Sequence, residues 1–227
     1  MMSGLLGMAL VLAVLADSPV GWREDFDDTT LWQKMPPNRN WRYDGGKIAV
    51  PLTKFQVAGG ALVIEAKQSS GSLMTMPHAD LREYPILHWR WRVRNLPARA
   101  DGRDPKLDDQ AAALYIGAGG PLNRKVLAFR WETVTPKGHQ GTVKYVGGLV
   151  TVEHFCLRNQ SSPVNEWVEE SVNVAELFQK VYGFVPGPEA YIVSFGANSQ
   201  YTNSHTFAEF DYIELLKAGK PEKEEKK

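Results

Sequence analysis

A strand-like segment of the sequence carries basic side chains at every second position. Residues 87–94 read Leu-His-Trp-Arg-Trp-Arg-Val-Arg, and this period of two predicts a β-strand with two chemically different faces. The indoles of Trp89 and Trp91 belong in an apolar layer between two sheets, so the basic side chains must face the opposite way. Guanidinium groups bind carboxylates and hydroxyls through paired hydrogen bonds, which makes this face a candidate ligand-binding surface. Its polar members are His88, Arg90, Arg92 and Arg94.

Two further segments carry charges in the same alternating way. Arg130 and Glu132 face away from an apolar side in residues 126–135, and Glu153 belongs to a predicted strand at residues 142–157. If the apolar sides of all these strands share one core, their charged sides can share one sheet face, with carboxylates placed between guanidiniums. The candidate ligand-binding residues are His88, Arg90, Arg92, Tyr115, Arg130, Glu132 and Glu153.

The charged face has two interpretations, which the sequence leaves open. In the first, its side chains are cross-strand ion pairs on the wet outer face of a sandwich. In the second, the sheet curves and the face forms a cleft, where arginines hold the carboxylates or hydroxyls of a ligand and aromatic side chains stack on sugar rings. The curvature of the sheet decides between them.

A catalytic alternative pairs Glu132 with Glu153 as the two carboxylates of a glycan-cleaving enzyme. Retaining hydrolysis needs carboxyl groups about 5–5.5 Å apart and inverting hydrolysis about 6.5–9.5 Å. Neighbouring arginines lower carboxylate pKa values, which suits a nucleophile and opposes a general acid. The metal motif HExxH and the nucleophile elbow GxSxG do not occur in the sequence, so we place ligand binding above catalysis.

The loop before the Tyr115 strand is rich in aspartate. Asp108 and Asp109 are the candidate ligands of a structural calcium ion, because hard carboxylate oxygens are what calcium prefers. The spacing does not fit an EF-hand loop, and nearby arginines compete for the carboxylates. These two observations favour a solvated turn over a calcium site, and the sequence indicates no other cofactor.

The element pattern predicts an all-β fold. Short strands separated by Gly, Pro, Asn and Asp run from residue 23 to residue 216, including one at 47–57, and no alternation of strands with helices occurs. This favours a two-sheet antiparallel sandwich, the jelly roll. One short helix is predicted near Ala175, at residues 175–182, with Asn173 as N-cap and Gly183 at its end.

The two ends of the chain have compositions of their own. Residues 5–16 are apolar or small, which predicts a signal peptide at residues 1–16 and a periplasmic or secreted protein. A buried N-terminal helix is the alternative. Residues 217–227 are mostly Lys and Glu, which predicts a disordered tail. A single sandwich domain is expected between them, at residues 17–216.

Charge and cysteine content exclude several classes of protein. The chain has 26 basic and 26 acidic residues, so no overall field attracts it to nucleic acid or to an anionic membrane. The apolar segment is too short for a stable membrane span. Cys156 is the only cysteine, which excludes an internal disulfide. The oligomeric state stays open.

The strand at residues 89–93, Trp-Arg-Trp-Arg-Val, resembles the distinctive motif of an exported bacterial family of unknown function. An acidic pair at Asp108 and Asp109, an Ala-Ala pair and Tyr115 follow in the same order. The resemblance covers residues 26–216 and implies a jelly roll similar to carbohydrate-binding modules and concanavalin-like lectins, with no established reaction. The acidic segment that the family carries near the last strands is replaced by residues 196–200, which leave Asn198 as the polar candidate there.

Three functions follow from these observations. The first is an exported, non-catalytic protein whose arginine-lined face binds a glycan or another anionic or hydroxyl-rich ligand. The second is the glycan-cleaving enzyme with paired carboxylates. The third is a structural protein of the cell envelope, whose charged face docks a partner protein.

Overall fold

The computed structural model describes residues 19–45, 50–120 and 122–219. The predicted signal peptide lies outside the described residues, as do residues 220–227 of the predicted tail. Within the described ranges the chain forms thirteen β-strands and one α-helix. The strands are β1 (Val20–Glu24), β2 (Arg42–Asp44), β3 (Lys54–Val57), β4 (Leu62–Lys67), β5 (Ser72–Thr75), β6 (Ile86–Asn95), β7 (Gln110–Ala118), β8 (Arg124–Trp131), β9 (Gln140–Tyr145), β10 (Val150–Arg158), β11 (Val168–Asn173), β12 (Tyr191–Asn198) and β13 (His205–Leu216), and the helix is α1 (Val174–Tyr182).

The strands form two sheets. The six-stranded sheet has the order β11-β6-β13-β4-β3, with β1 also paired to β13, and the seven-stranded sheet has the order β2-β5-β12-β7-β8-β10-β9. Strands β8 and β10 pair in parallel, because β10 returns between β8 and the edge strand β9. The other pairings between these strands are antiparallel. The predicted two-sheet sandwich with one short helix is confirmed.

Aromatic side chains fill the layer between the sheets. Trp89 and Trp91 of β6 are fully buried, as the alternation predicts. The ring of Trp89 lies 5.4 Å from that of Phe129, and the ring of Trp91 lies 5.6 Å from that of Trp131. Tilted and edge-on contacts at these separations are favourable for aromatic rings. They fix the distance and register between β6 of one sheet and β8 of the other.

The helix begins and ends where the sequence predicts, to within one residue. The side-chain oxygen of Asn173 accepts a hydrogen bond from the backbone N–H of Glu176 at 3.0 Å, which satisfies one of the free N–H groups at the start of a helix. Gly183 ends the helix with a φ of 79°, a conformation that glycine adopts without strain. The hydroxyl of Tyr182, at the end of α1, donates to the carbonyl of Val126 at 2.8 Å and so joins the helix to β8.

One predicted strand is two strands in the structure. Residues 142–157 do not run straight but form the hairpin β9–β10, which turns at Val146, Gly147 and Gly148. These three residues all have positive φ values, and such a backbone cannot continue a strand. The described part of the predicted strand at residues 47–57 becomes β3 at its end only, and β2 was not predicted.

In the described part of the chain, no helix is long and apolar enough to cross a membrane.

Candidate functional site

The arginines of β6 lie on the outer face of the six-stranded sheet and are held by carboxylates of β13. Arg92 and Arg94 both donate to Glu209, at 2.7 Å and 2.8 Å. Arg90 donates to Asp211 at 3.0 Å. Their partners lie on the neighbouring strand, so this face has the cross-strand ion pairs of the first interpretation.

The remaining basic and aromatic groups of that face extend the same network. Nδ1 of His88 lies 2.9 Å from a carboxylate oxygen of Glu214. The guanidinium of Arg92 lies 4.4 Å from the ring centre of Trp167, and that of Arg90 lies 5.4 Å from it, within the range of cation–π contacts. The basic groups of this face are therefore paired with acidic and aromatic side chains of the same face.

The expectation that Arg90, Arg92 and Arg130 share one sheet face is wrong. β6 belongs to the six-stranded sheet, whereas β8 and β10 belong to the seven-stranded sheet. Arg130 alternates with core residues of β8, so it points away from the core on the opposite side of the sandwich. Alternation tells which side of its own strand a residue occupies, but it does not tell which sheet the strand joins.

The outer face of the seven-stranded sheet carries a second polar group of residues. Residues directly opposite each other in a sheet project to the same face. Tyr115 lies opposite Ala128, which in turn lies opposite His154. In the adjacent row, Arg130 lies between Ala113 and Cys156. Tyr115, Arg130 and His154 therefore share this face, and small residues lie beside them.

Arg130 is the buried centre of this face, with only 1% of its surface exposed. Its Nη1 atom donates to Oδ1 of Asp108 at 2.6 Å and lies 3.6 Å from Oε1 of Glu132. The other oxygen of Asp108 accepts from the hydroxyl of Tyr145 at 2.7 Å. Burial lowers the pKa of Arg130, but the nearby carboxylates outweigh it and hold the pKa above its usual value.

Glu132 lies beneath the loop that precedes β7. The side chain is fully buried, and Oε2 accepts hydrogen bonds from the backbone N–H of Gly102, at 2.9 Å, and from the hydroxyl of Thr135. A Cβ atom added to Gly102 would lie 2.7 Å from both carboxylate oxygens of Glu132. Only glycine fits at this position without displacing the carboxylate.

The side chains of this face converge. Tyr145 lies opposite Val150 of β10, whereas Arg130 lies opposite Cys156, six residues further along. Six residues of a flat strand span about 20 Å, yet both side chains contact Asp108. The two side chains therefore lean towards each other across the sheet face, and we name the region that they enclose the concave face. It comprises Asp108, Gln110, Tyr115, Arg130, Glu132, Tyr145 and His154.

The environment of the concave face also shifts the pKa of His154. Its ring is 1% exposed, and burial, with smaller contributions from Arg130 and His139, lowers its pKa to about 3. The imidazole is therefore neutral at ordinary pH, with one nitrogen able to donate a hydrogen bond and the other able to accept one.

Several buried polar atoms of the concave face have no hydrogen-bond partner among the described residues. They are Nε of Arg130, Oε1 of Glu132, both ring nitrogens of His154 and Oε1 of Gln110, and the side-chain oxygen of Asn198 on β12 joins them. Apart from these, the unpartnered buried side-chain atoms of residues 19–45, 50–120 and 122–219 are indole nitrogens. Buried polar groups normally have partners, because leaving one unpaired costs about 1–3 kcal/mol.

The structure does not bring Glu132 and Glu153 together. Glu153 lies opposite Leu127 of β8 and faces the side that carries the core, whereas Glu132 contacts Arg130 on the concave face. The carboxylate of Glu153 accepts from the side chains of Gln140, at 2.7 Å, and Thr142, at 2.6 Å. The sheet thus separates the two carboxylates that the catalytic alternative requires.

Asp108 and Asp109 also face different partners. Asp108 contacts Arg130 and Tyr145, whereas the carboxylate of Asp109 accepts from the backbone N–H and the hydroxyl of Thr202, each at 2.7 Å. Among the described residues, His, Cys, Asp and Glu side chains do not form a group of three that could hold a metal ion. The two aspartates are thus not arranged as common ligands of a calcium ion.

The sequence analysis names Arg130, Glu132 and Tyr115 of the concave face as candidates, but it does not name most of the residues that surround them. The sequence predicts a metal ligand at Asp108, whereas the structure makes Asp108 the partner of Arg130, and the sequence gives no sign of Tyr145 or Gln110. The alternation of Tyr145 with Val143 in β9 places Tyr145 on a definite strand face. No sequence pattern indicates that this face meets a loop 37 residues away.

The molecule is thus a two-sheet β-sandwich with a buried polar cluster on the concave face of one sheet. The chain belongs to the protein family of unknown function DUF3047, whose family model matches residues 41–214. No curated protein matches the sequence.

Solved structures with a similar overall shape include a xyloglucanase domain and a cellulose-binding domain. The xyloglucanase domain of NopAA, a type three effector from Sinorhizobium fredii determined with cellobiose, is 12% identical; the match covers 78% of this chain and 93% of that one, with a TM-score of 0.47. The N-terminal cellulose-binding domain of Cellulomonas fimi β-1,4-glucanase C is 13% identical over 90% and 99%, with a TM-score of 0.38.

A third similar structure is the K2 cleaved adhesin domain of Lys-gingipain, which is 11% identical over 86% of this chain and 98% of that one, with a TM-score of 0.39. Similarity at this level carries no information about a ligand.

Proposed function

We propose that this protein is an exported, non-catalytic β-sandwich that binds a glycan or another anionic or hydroxyl-rich ligand through its concave face. The proposal moves the binding surface from the arginines of β6, which are held by β13, to Arg130 and its neighbours. Export rests on the apolar segment at residues 5–16.

The unpartnered buried atoms of the concave face are the observation that supports the proposal. Arg130, Glu132 and His154 are each at least 99% buried, yet each keeps a polar atom without a partner in the described structure. A hydroxyl-rich ligand that displaces the side chains covering these atoms and bonds to them would recover the free energy that their burial costs. Such a ligand would be recognised by several groups at once.

The rim of the concave face has the chemistry that a sugar requires. Tyr115 and Tyr145 are partly exposed and pack against an apolar patch formed by Val126, Ala128 and Val152. Sugar rings present an apolar face that stacks on aromatic side chains and an edge of hydroxyl groups that bind polar atoms. Tyrosine rings beside Arg130 supply both kinds of contact.

Binding is favoured over catalysis because Glu132 and Glu153, the two acids of the catalytic alternative, lie on different faces of the sheet. Glu132 is buried beneath Gly102 and next to Arg130, and the partner that catalysis would need, Glu153, faces the other side of the sheet. This arrangement supports recognition by fixed hydrogen-bonding groups.

Glycan-array screening of the purified full chain, followed by calorimetric titration of each hit, tests the proposal. The variant Tyr145→Ala removes a partly exposed ring at the edge strand and is expected to weaken binding by at least about tenfold. The matched control Arg92→Gln removes an arginine from the opposite sheet and should leave the affinity unchanged. Absence of binding to every acidic and neutral glycan, or loss of binding only in Arg92→Gln, would contradict the proposal.

A further inference from the structure

The balance of charges and of hydrogen-bonding groups in the concave face narrows the class of ligand. We infer that this site takes a neutral, hydroxyl-rich ligand and discriminates against an acidic one of the same shape. The inference rests on the proposed function and adds the chemistry of the substrate class to it.

Buried carboxylates outnumber buried cations around Arg130. The one guanidinium of Arg130 is flanked by two buried carboxylates, those of Asp108 and Glu132. His154 stays neutral and adds no charge. The negative charges of the carboxylates therefore exceed the one positive charge of the guanidinium. An incoming carboxylate or sulfate would meet a net negative environment of low polarity, where like charges repel strongly.

Other cations of this region have carboxylate partners or lie further away. Arg103, in the loop before β7, pairs with Asp101 at 2.6 Å, and Arg124, on the same face of β8 as Arg130, lies 3.9 Å from Asp44. Arg42 projects from the same sheet face as Tyr115. On neighbouring strands Arg42 lies opposite Met74, Met74 opposite Ser194, and Ser194 opposite Tyr115. Arg42 belongs to β2, four strands from β8, which corresponds to about 19 Å at ordinary strand spacing.

The unpartnered atoms lead to the same conclusion independently of charge. Glu132, Gln110 and Asn198 each have an oxygen that can only accept, whereas Arg130 has one N–H to donate, and the neutral ring of His154 offers one of each. Unpartnered acceptors thus outnumber donors in the described cluster. Hydroxyl groups donate and accept, so they match this set, whereas carboxylate and sulfate groups only accept and leave the acceptors unpaired.

Matched pairs of oligosaccharides test the inference in calorimetric titrations of the full chain. Each pair shares its linkage and length and differs in one charge per sugar: a β-1,4-glucan and its C6-oxidised glucuronate form, and methyl-esterified and free homogalacturonan. We expect the neutral member of any pair that binds to bind at least about tenfold more tightly. Tighter binding of the acidic member would overturn the inference and leave the proposed function standing. No binding by any member would count against both.

The variant Glu132→Gln supplies a second test. It removes one buried charge with little change in shape, and we expect the preference for the neutral member to fall severalfold. The matched control Glu209→Gln removes a carboxylate from the opposite sheet, so its preference should equal that of the parent protein. Thermal unfolding of each variant checks that it is folded. An unchanged preference in folded Glu132→Gln would contradict the role of the buried charge.

Discussion

The guanidinium of Arg130 donates to the carboxylate of Asp108 at 2.6 Å, and both residues are at least 95% buried. The pair joins a strand in the middle of the seven-stranded sheet to the loop that precedes β7. It also fixes the donor and acceptor groups around which the concave face is built.

The Arg130–Asp108 pair should have a large effect on stability if one partner is removed alone. We expect Arg130→Met to lower the free energy of unfolding by about 3–5 kcal/mol, because Asp108 and Glu132 would remain as buried charges without compensation. Urea denaturation measures this change. The double variant Arg130→Met with Asp108→Asn should recover part of the loss, and a single variant that costs under about 1 kcal/mol would contradict the assigned burial of the pair.

The close approach of Gly102 to Glu132 gives a second prediction. Gly102→Ala places a methyl group 2.7 Å from both carboxylate oxygens, so we expect it to destabilise the fold by about 1–3 kcal/mol and to weaken ligand binding. Thermal unfolding and titration measure the two effects. The control Gly120→Ala adds its methyl group where no described atom lies within 4 Å and should be close to neutral. Equal stability and equal ligand affinity in the two variants would show that the carboxylate of Glu132 does not lie against Gly102.

The neutral state of His154 predicts a dependence of stability on pH. In the unfolded chain the imidazole has its ordinary pKa of about 6.5, whereas in the folded protein its pKa is about 3. The unfolded state therefore binds more protons between these values, so stability falls as the pH is lowered from about 6.5 towards 3, by at most about 1.4 kcal/mol per pH unit from this group.

The variant His154→Leu removes that contribution, and we expect it to lose less stability than the parent protein between pH 7 and pH 5, measured by urea denaturation. His78→Gln replaces an exposed histidine and should retain the pH dependence of the parent. Parallel pH profiles for the parent and His154→Leu would contradict the lowered pKa. They would mean that His154 takes up a proton equally readily in the folded and the unfolded state.

Much of the fold could be predicted from local pattern. The alternation around Trp89 and Trp91 gave the correct strand and the correct inward face, because a period of two and the hydrophobicity of indole leave one solution. The helix was predicted to within one residue, since Asn173 and Gly183 are chemically specific end signals.

The site could be predicted only in part, because it depends on which strands become neighbours. The partners of Arg90 and Arg92 are Asp211 and Glu209, about 120 residues later, and Arg130 lies in the other sheet. The separation of Glu132 from Glu153 depends on the parallel register of β8 and β10. Such long-range pairing leaves no trace in the spacing of residues along one strand.

Backbone amide shifts, followed by NMR as a neutral oligosaccharide from the glycan screen is added to saturation, test the central claim most directly. We predict that the largest changes fall on β7, β8 and β10, at Ala113–Tyr115, Ala128–Arg130 and His154–Cys156, while the amides of β6 and β13 stay nearly unchanged. Shifts centred on Arg90, Arg92 and their partners of β13 would contradict the account, because they would place the ligand on the six-stranded sheet.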